Sequence, residues 1–326
     1  MHYVFCTIID KHFLFKGLTL YFSLQKHCEH FQLYVLCMDK IVFGLLSRMD
    51  LPRLELIKLE EIEDERLLSV KSNRTNAEYC WTCKPYLCLY VLQQRMADSV
   101  VYLDADLFFF SDPYPMYEEI ADSSIAIVEH RFPVAVYSEK VGRFNAGFVY
   151  FKNDKEGLQC LAGWREDVLT WCFNSSKDGK FTDQDYLTGW PDHFKNLHVI
   201  KHVGVNAGPW NIKNNVHITN DDDRLYINNV PLIFYHFQAF YVLGNNTFKE
   251  AAGYFIPQKI KEIIYQPYIK AMKDTINYIS QFEANFPLGF QKLSFRNQIL
   301  DILYHKIMPE KLYFHLAGLK HRMLTS

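Results

Sequence analysis

Short apolar segments alternate with amphipathic segments along the first 240 residues of the chain. Three early apolar segments predict strands, at residues 3–9, 32–38 and 54–59. Helical patterns at residues 13–27 and 40–50 separate these strands. Alternation of this kind predicts an α/β fold, with a mixed but mainly parallel sheet flanked by helices.

The next helical pattern, at residues 78–96, leads into an apolar strand that ends in Asp104-Ala105-Asp106. Within a strand, side chains at positions i and i+2 project from the same face, so the two carboxylates lie side by side. Paired carboxylates repel each other unless a cation lies between them, and hard oxygen ligands suit Mg²⁺ or Mn²⁺. The pattern predicts a metal site, although an ordinary acidic turn after a strand produces the same three residues by chance.

Later apolar segments predict further strands at residues 124–128 and 148–151. In a parallel α/β sheet, ligands bind beyond the carboxyl ends of the strands. Asp10 and Asp39 follow two of the early strands, just as the Asp-x-Asp pair follows a later one. We therefore expect an acidic, metal-binding edge of the sheet.

Several other polar residues lie near the predicted strand ends. Asn145 and Gly147 precede an apolar strand, where glycine permits close approach of a ligand or forms an ordinary bulge. Asn206 and Trp210 occupy a turn whose indole is a candidate wall for a carbohydrate site. His236 ends a predicted strand at 231–237, and its imidazole is a candidate metal ligand beside the carboxylates.

A helix is predicted to begin at residues 182–185. Thr182 and Asp185 have the spacing of a capping box, which is a structural explanation for both residues. Asp183 and Gln184, beside the same helix N-terminus, are also candidates to hold sugar hydroxyls. The two interpretations are compatible.

Composition limits the classes of partner and compartment. The chain has 326 residues and a formal net charge of −2, which gives no electrostatic case for nucleic acid. The N-terminus has no basic region or cleavage site of a signal peptide, so the cytoplasm is the expected location. Cys80 and Cys83 are the only close pair among eight cysteines, and we expect buried reduced thiols rather than a zinc site.

The pattern changes after residue 245, and we predict a domain at 1–245 with a helical extension at 246–326. Two helical faces are predicted in the extension: Ile269, Met272, Ile276 and Ile279, then Phe295, Ile299, Ile302 and Leu303. Prolines are expected to break its helices: Pro267, Pro287 and Pro309. The last part is basic: Lys292, Arg296, Lys306, Lys311, Lys320 and Arg322. This tail fits either peripheral contact with an anionic membrane or packing on the main domain with solvated lysines.

Four motifs follow one another in a recognisable order: Leu103-Asp104-Ala105-Asp106, Phe144-Asn145-Ala146-Gly147, Asp183-Gln184-Asp185 and Tyr235-His236-Phe237. With them, residues 1–245 resemble bacterial retaining glycosyltransferases of the GT-A fold, close to glycosyltransferase family 8 and its lipopolysaccharide sugar transferases. The resemblance implies metal-dependent transfer of a sugar from a nucleotide-diphosphate donor, with a UDP-hexose favoured and its configuration retained. It implies a glycan or glycolipid acceptor of the cell surface, used in the cytoplasm or at the cytoplasmic face of the membrane.

The resemblance also implies roles for individual residues. Those implied to bind Mn²⁺ or Mg²⁺ are Asp104, Asp106 and His236. Those implied to bind the nucleotide sugar are Thr7, Ile9, Asp10, Lys84, Asp104, Ala105 and Asn145. Those implied to be catalytic are Gln184, Asp183 and Asp185, with Gln184 nearest the anomeric carbon of the donor sugar. The acceptor side is implied at Asn206 and Trp210.

A neutral Gln184 amide is a poor nucleophile, so we favour attack on the same face as the departing phosphate, which takes the acceptor's proton. A covalent intermediate on Asp183 or Asp185 is the alternative. One motif departs from the family: Ala239 stands where glycine is usual after the histidine, and no lysine follows before Lys249. The lysine that contacts the diphosphate in the family therefore has no counterpart directly after this motif.

Two other functions remain open. A non-catalytic relative that binds a sugar nucleotide or glycan would keep the same residues. A haloacid-dehalogenase-type phosphatase also places Asp-x-Asp at a strand end, but its pattern requires Thr or Val where this chain has Phe108.

Overall fold

The computed structural model describes residues 2–132, 142–175, 182–212, 218–221, 224–284 and 286–292. The strands are β1 (Tyr3–Ile9), β2 (Phe31–Cys37), β3 (Leu54–Lys58), β4 (Ser99–Leu103), β5 (Leu107–Phe109), β6 (Ile125–Glu129), β7 (Phe144–Lys152), β8 (Leu197–Ile200), β9 (Ile218–Asp221), β10 (Arg224–Ile227), β11 (Val230–Pro231), β12 (Phe234–His236), β13 (Tyr241–Gly244) and β14 (Thr247–Lys249). The α-helices are α1 (Leu14–His27), α2 (Lys40–Leu46), α3 (Glu65–Lys71), α4 (Asn76–Gln94), α5 (Tyr114–Ile120), α6 (Lys155–Thr170), α7 (Trp190–His193), α8 (Gln258–Ile260) and α9 (Gln266–Ser280).

Seven strands form the central sheet in the order β3-β2-β1-β4-β7-β6-β8. Within this described sheet only β7 runs against its neighbours, because it pairs antiparallel with both β4 and β6. The prediction of a mixed, mainly parallel sheet flanked by helices is confirmed. The strands predicted at the N-terminus agree with β1, β2 and β3 to within about one residue.

Apolar side chains cover both faces of the sheet, as is typical of parallel strands. Along β1, Phe5 and Ile9 face a core that includes side chains of α1 and α9. Cys6 and Ile8 face a second core, which includes side chains of α4 and α6. Because both faces of the sheet are covered, a ligand can reach the sheet at the carboxyl ends of its strands.

Two polar residues begin the helices that follow the sheet edge. Asp39 caps α2, because its side chain accepts a hydrogen bond from the backbone N–H of Val42 at 2.9 Å. Thr75 begins α4 through a capping box with Glu78. Asp39 therefore has a local structural role in the edge that we expected to be acidic.

A separate two-stranded antiparallel sheet joins β5 to β12. The strand predicted at 231–237 is observed as the shorter β12, Phe234–His236. It belongs to this small sheet and not to the central sheet. Its register pairs His236 with Leu107, the residue after Asp106. The turn after the Asp-x-Asp motif is thus held directly against the strand that carries the histidine.

The extension after residue 245 begins within a hairpin. β13 and β14 pair with each other, and the predicted boundary falls in the turn between them. Further on, α9 buries the predicted face formed by Met272, Ile276 and Ile279, and the hydroxyls of Thr19 in α1 and Thr275 in α9 lie 2.9 Å apart. The division into 1–245 and 246–326 stays a prediction, since described residues on its two sides share one core.

Pro267 does not break the helical segment. It is the second residue of α9, and a π-helical turn at Lys261–Tyr265 precedes it without interruption. Pro287 does begin a short 3-10 helix, Pro287–Gly289. The second predicted helical face, Pro309 and the basic residues after Lys292 lie outside the described residues. None of the helices in the described ranges has the length and apolarity that crossing a bilayer requires.

Candidate functional site

A cavity of about 690 Å³ lies beyond the carboxyl ends of β1 and β4. Asp10 follows β1 and reaches the cavity, as does the Asp104–Asp106 turn that follows β4. Side chains from β7, from the small β5–β12 sheet and from α4 complete its walls. This is the position expected of a ligand site in an open α/β sheet.

Three potential metal ligands converge in this cavity. One ligand atom from each of Asp104, Asp106 and His236 lies within 4.8 Å of the other two. His236 Nε2 is 3.1 Å from Asp106 Oδ1, and the backbone N–H of Phe237 donates to the Asp106 carbonyl at 2.9 Å. Two carboxylates and one imidazole are a suitable donor set for a divalent ion such as Mn²⁺ or Mg²⁺.

Gly147 leaves the space that these ligands occupy. A Cβ at this position would lie 2.8 Å from Asp104 Oδ2, 2.8 Å from His236 Cε1 and 2.6 Å from Asn145 Oδ1. All three distances are shorter than real Cβ contacts. The absence of a side chain at Gly147 therefore lets the side chains of Asp104, Asn145 and His236 approach this strand closely.

Lys84 in α4 connects two of the acidic residues. Its buried ammonium is 3.1 Å from Asp104 Oδ1 and 2.9 Å from Asp183 Oδ2, and it donates to the Ala146 carbonyl at 3.2 Å. Burial alone would lower the pKa of Lys84, but the two carboxylates raise it above its ordinary value. Lys84 is thus a fixed cation between the metal ligands and the segment that contains Gln184.

The acidic side chains differ in their surroundings. Burial would raise the pKa of Asp106, but His236 and then Lys16 lower it well below its ordinary range. Burial raises the pKa of Asp183, and Lys84 opposes that rise. Asp104 also accepts a hydrogen bond from the hydroxyl of Tyr102 at 3.0 Å.

Asp10 is held in place by the turn that precedes α1 and by the first residue of α4. Its Oδ2 accepts a hydrogen bond from Asn76 Nδ2 at 2.6 Å, and its Oδ1 accepts from the backbone N–H groups of His12 and Phe13 at 3.0 and 2.9 Å. Asn76 is the first residue of α4, so this bond fixes the start of the helix that carries Lys84.

His130 also lines the cavity, where it contacts Asn145. Asn145 Nδ2 and His130 Nε2 are 2.9 Å apart, and Asn145 Oδ1 accepts from the N–H of Gly147 at 2.7 Å. This network assigns the amide nitrogen as the donor and His130 Nε2 as the acceptor. Burial lowers the pKa of His130 from 6.5 to about 3, and the proximity of His236 adds to this effect.

Trp210 is part of the same wall. Its indole N–H donates to the His130 carbonyl at 2.7 Å, and its ring meets that of His236 edge-on at 5.2 Å between centroids. The segment around it is also held from outside the cavity, because the guanidinium of Arg131 donates to the backbone carbonyls of Val205 and Asn206.

The structure places most of the predicted site residues in the cavity wall: Asp10, Lys84, Asp104, Ala105, Asp106, Asn145, Asp183, Gln184, Trp210 and His236. It does not place four others there: Thr7, Ile9, Asp185 and Asn206. Thr7 and Ile9 are buried within β1, and Asn206 is fully buried beneath its loop. The predicted roles of these four residues stay predictions.

The capping box predicted at Thr182 and Asp185 is wrong. Thr182 has a φ of 57°, and the helix that follows is a 3-10 helix, Asp185–Gly189, whose N-cap Gln184 makes no capping hydrogen bond through its side chain. Positive φ at Thr182 turns the chain before the helix begins. Asp183 and Gln184 thereby reach the cavity wall while Asp185 starts the helix.

Sequence reasoning missed four residues that shape the site: Lys16, Asn76, Tyr102 and His130. Tyr102 lies in β4, two residues before Asp104, so the alternation of side chains along the predicted strand was a usable signal. His130 directly follows β6, as Asp10 follows β1. Lys16 gave no such signal, because a lysine in an amphipathic helix is usually solvated.

Comparison with known proteins identifies the family. A family model described as nucleotide-diphospho-sugar transferase matches residues 28–199. The chain belongs to the nucleotide-diphospho-sugar transferase family. The transferase is 37% identical to the uncharacterized protein YfnD of Bacillus subtilis (strain 168) over 292 residues, which cover 88% of this chain and 94% of YfnD. It is 33% identical to the uncharacterized protein YfnF of the same strain over 255 residues, or 76% of this chain and 84% of YfnF.

Solved structures show the fold of the transferase. The galactosyltransferase LgtC, in complex with donor and acceptor sugar analogues, is similar with a TM-score of 0.54 and 12% identity, covering 91% of this chain and 99% of LgtC. The glycosyltransferase GlyE of Streptococcus pneumoniae TIGR4 is similar with a TM-score of 0.50 and 14% identity, covering 89% of this chain and 66% of GlyE. The transferase is a glycosyltransferase with the GT-A fold, and no support remains for the phosphatase alternative.

Replacing Gly147 with alanine is expected to weaken binding of Mn²⁺ about 10- to 100-fold, because the new Cβ would displace Asp104 and His236. Free Mn²⁺ measured by electron paramagnetic resonance during titration tests this. The matched control is Gly163→Ala in α6, where a Cβ meets nothing within 4 Å. Equal Mn²⁺ affinity in the folded Gly147→Ala variant and the wild type would contradict the proposed metal site.

Replacing His130 with glutamine is expected to make the protein less sensitive to acid. The pKa of His130 is lowered to about 3, so the unfolded chain binds a proton below pH 6.5 that the folded chain does not bind. The wild type therefore loses stability as the pH falls, by about 2 kcal/mol at pH 5 from this residue. Urea unfolding at pH 7 and pH 5 measures the difference. The exposed His30, changed to glutamine, is the control, and an unchanged pH dependence in His130→Gln would show that His130 is protonated in the folded state.

Proposed function

We propose that this glycosyltransferase moves a hexose from a UDP-sugar to a glycan or glycolipid acceptor of the cell surface, with retention of configuration. We further propose that it belongs to glycosyltransferase family 8 and acts at the cytoplasmic face of the membrane. The observation that carries the proposal is the convergence of Asp104, Asp106 and His236 with Gln184 on one cavity.

The cavity provides for both charges that develop when a glycosyl–phosphate bond breaks. Asp104, Asp106 and His236 would hold Mn²⁺ or Mg²⁺, which supplies Lewis-acid stabilisation of the departing diphosphate. On the sugar, positive charge develops at the anomeric carbon. A fixed amide dipole or carboxylate near that carbon stabilises this charge.

The placement of the acidic residues supports Gln184 as the group nearest the reacting carbon. Asp183 is ion-paired with Lys84 at 2.9 Å, which makes it a weak candidate for a nucleophile. Asp185 begins the 3-10 helix and does not line the cavity. Both facts favour attack on the same face over a covalent intermediate, with the departing phosphate accepting the proton of the attacking hydroxyl.

The remaining walls of the cavity supply the surfaces for the two substrates. We propose that Asp10, with Asn76 and the end of β1 at Thr7 and Ile9, holds the base and ribose. We propose that Trp210 forms one wall of the acceptor site. Asn206, which is buried in the same loop, would position Trp210. Lys84, Ala105 and Asn145 also line the cavity, which supports their proposed contact with the nucleotide sugar.

Nucleotide binding tests the donor. In the presence of Mn²⁺, UDP is expected to raise the melting temperature more than GDP, CDP or ADP. Binding to the folded state adds RT ln(1 + [L]/Kd), which is about 2.7 kcal/mol at a hundredfold excess over Kd. The Asp104→Asn variant should lose this increase, because it lacks one charged ligand of the metal. An increase without Mn²⁺ would argue against the metal, and an equal response to every nucleotide would argue against a UDP donor.

Replacing Gln184 with alanine is expected to lower kcat for transfer about 100-fold while the Kd for UDP stays close to the wild-type value. Initial rates with UDP-hexoses and calorimetric titration with UDP measure the two effects separately. Gln281→Ala, at an exposed position after α9, is the control. Equal losses in binding and turnover would assign Gln184 to donor binding instead, and NMR of the product's anomeric proton tests retention.

A further inference from the structure

The charge of the cavity is unfavourable for a diphosphate. Four carboxylates line it, from Asp10, Asp104, Asp106 and Asp183. Lys84 is the one lysine or arginine among the described residues that line the cavity. Its positive charge is already balanced by the adjacent carboxylates of Asp104 and Asp183. A nucleoside diphosphate adds at least two negative charges to this space. A divalent metal ion alone would leave the assembly of site and donor negative.

A second buried ammonium lies directly behind the metal ligands. Lys16, the third residue of α1, is 3% exposed. Its Nζ is 4.0 Å from Asp106 Oδ2 and 4.5 Å from the centroid of the Phe13 ring. Asp106 and Phe13 both line the cavity, so the ammonium lies immediately beneath its wall.

The contacts of Lys16 do not explain why a charge is buried there. The 4.0 Å distance to Asp106 exceeds that of a hydrogen bond, so the ion pair is incomplete. An ammonium this deeply buried is costly when its ion pair is as long as 4.0 Å, and an apolar side chain would serve α1 better at this position. An anion bound in the adjacent cavity would supply the close partner that Asp106 does not.

We propose that Lys16 binds the diphosphate of the donor. This inference rests on the proposed function, since it names a further residue of the same site. If Asp106 and the diphosphate bind the same metal ion, the diphosphate would come within a few ångströms of this carboxylate, and Lys16 lies next to it. The ammonium would pair with a phosphate oxygen and take up charge that builds on the leaving group.

The test compares nucleotides that differ by one phosphate. In the Lys16→Met variant, which keeps the length of the side chain but not its charge, the Kd for UDP with Mn²⁺ should rise about 10- to 100-fold. The Kd for UMP with Mn²⁺ should change much less. Affinity for Mn²⁺ alone should stay the same or increase, because a positive charge has been removed beside Asp106. Lys26→Met, an exposed lysine of the same helix, is the matched control and should resemble the wild type.

Three outcomes would overturn the inference: unchanged UDP binding, an equal loss for UDP and UMP, or weaker binding of Mn²⁺ alone. The last would mean that Lys16 only positions Asp106. If the wild type itself fails to bind UDP with Mn²⁺, the proposed function fails rather than the role of Lys16. Lys16→Gln provides a second uncharged variant if Lys16→Met does not fold, and the same selective loss of UDP binding is expected for it.

Discussion

The site depends on one buried cation, the ammonium of Lys84, held between the carboxylates of Asp104 and Asp183. These ion pairs join three separate parts of the fold: helix α4, the end of β4 and the segment before the 3-10 helix. Removing either partner of a buried ion pair leaves an uncompensated charge, so each member constrains the other two. The potential metal ligand Asp104 and the segment that contains Gln184 are therefore fixed relative to one another before any substrate binds.

The central fold was predictable because the pattern of apolar residues determines it locally. Residues 3–9, 32–38 and 54–59 showed the apolar runs of strands buried on both faces, and the structure has strands there. The direction of β7 was not predictable, because periodicity is the same for a parallel and an antiparallel strand. A strand was predicted at 231–237, but β5 and its pairing with β12 were missed for a related reason: the two strands are three residues long, and their long-range pairing defines the sheet.

The site was predictable where a motif carries its chemistry within a few residues. Asp104 and Asp106 belong to this class, and so does His236 at the end of its strand. Prediction failed where backbone conformation decides, as at Thr182, whose positive φ replaces the expected capping box. It also failed where partners are distant in sequence: the bond from Asn76 to Asp10 and the position of Lys16 behind Asp106 arise from helix packing.

The pairing of β5 with β12 has a consequence for the synthesis of the protein. Asp104 and Asp106 leave the ribosome long before His236, whose strand must then pair with the segment that follows the Asp-x-Asp turn. A nascent or truncated chain that lacks this strand has the two carboxylates but not the third potential metal ligand. Metal binding by all three residues would thus become possible only once β12 is in place, which would couple acquisition of the ion to the pairing of β12 with β5.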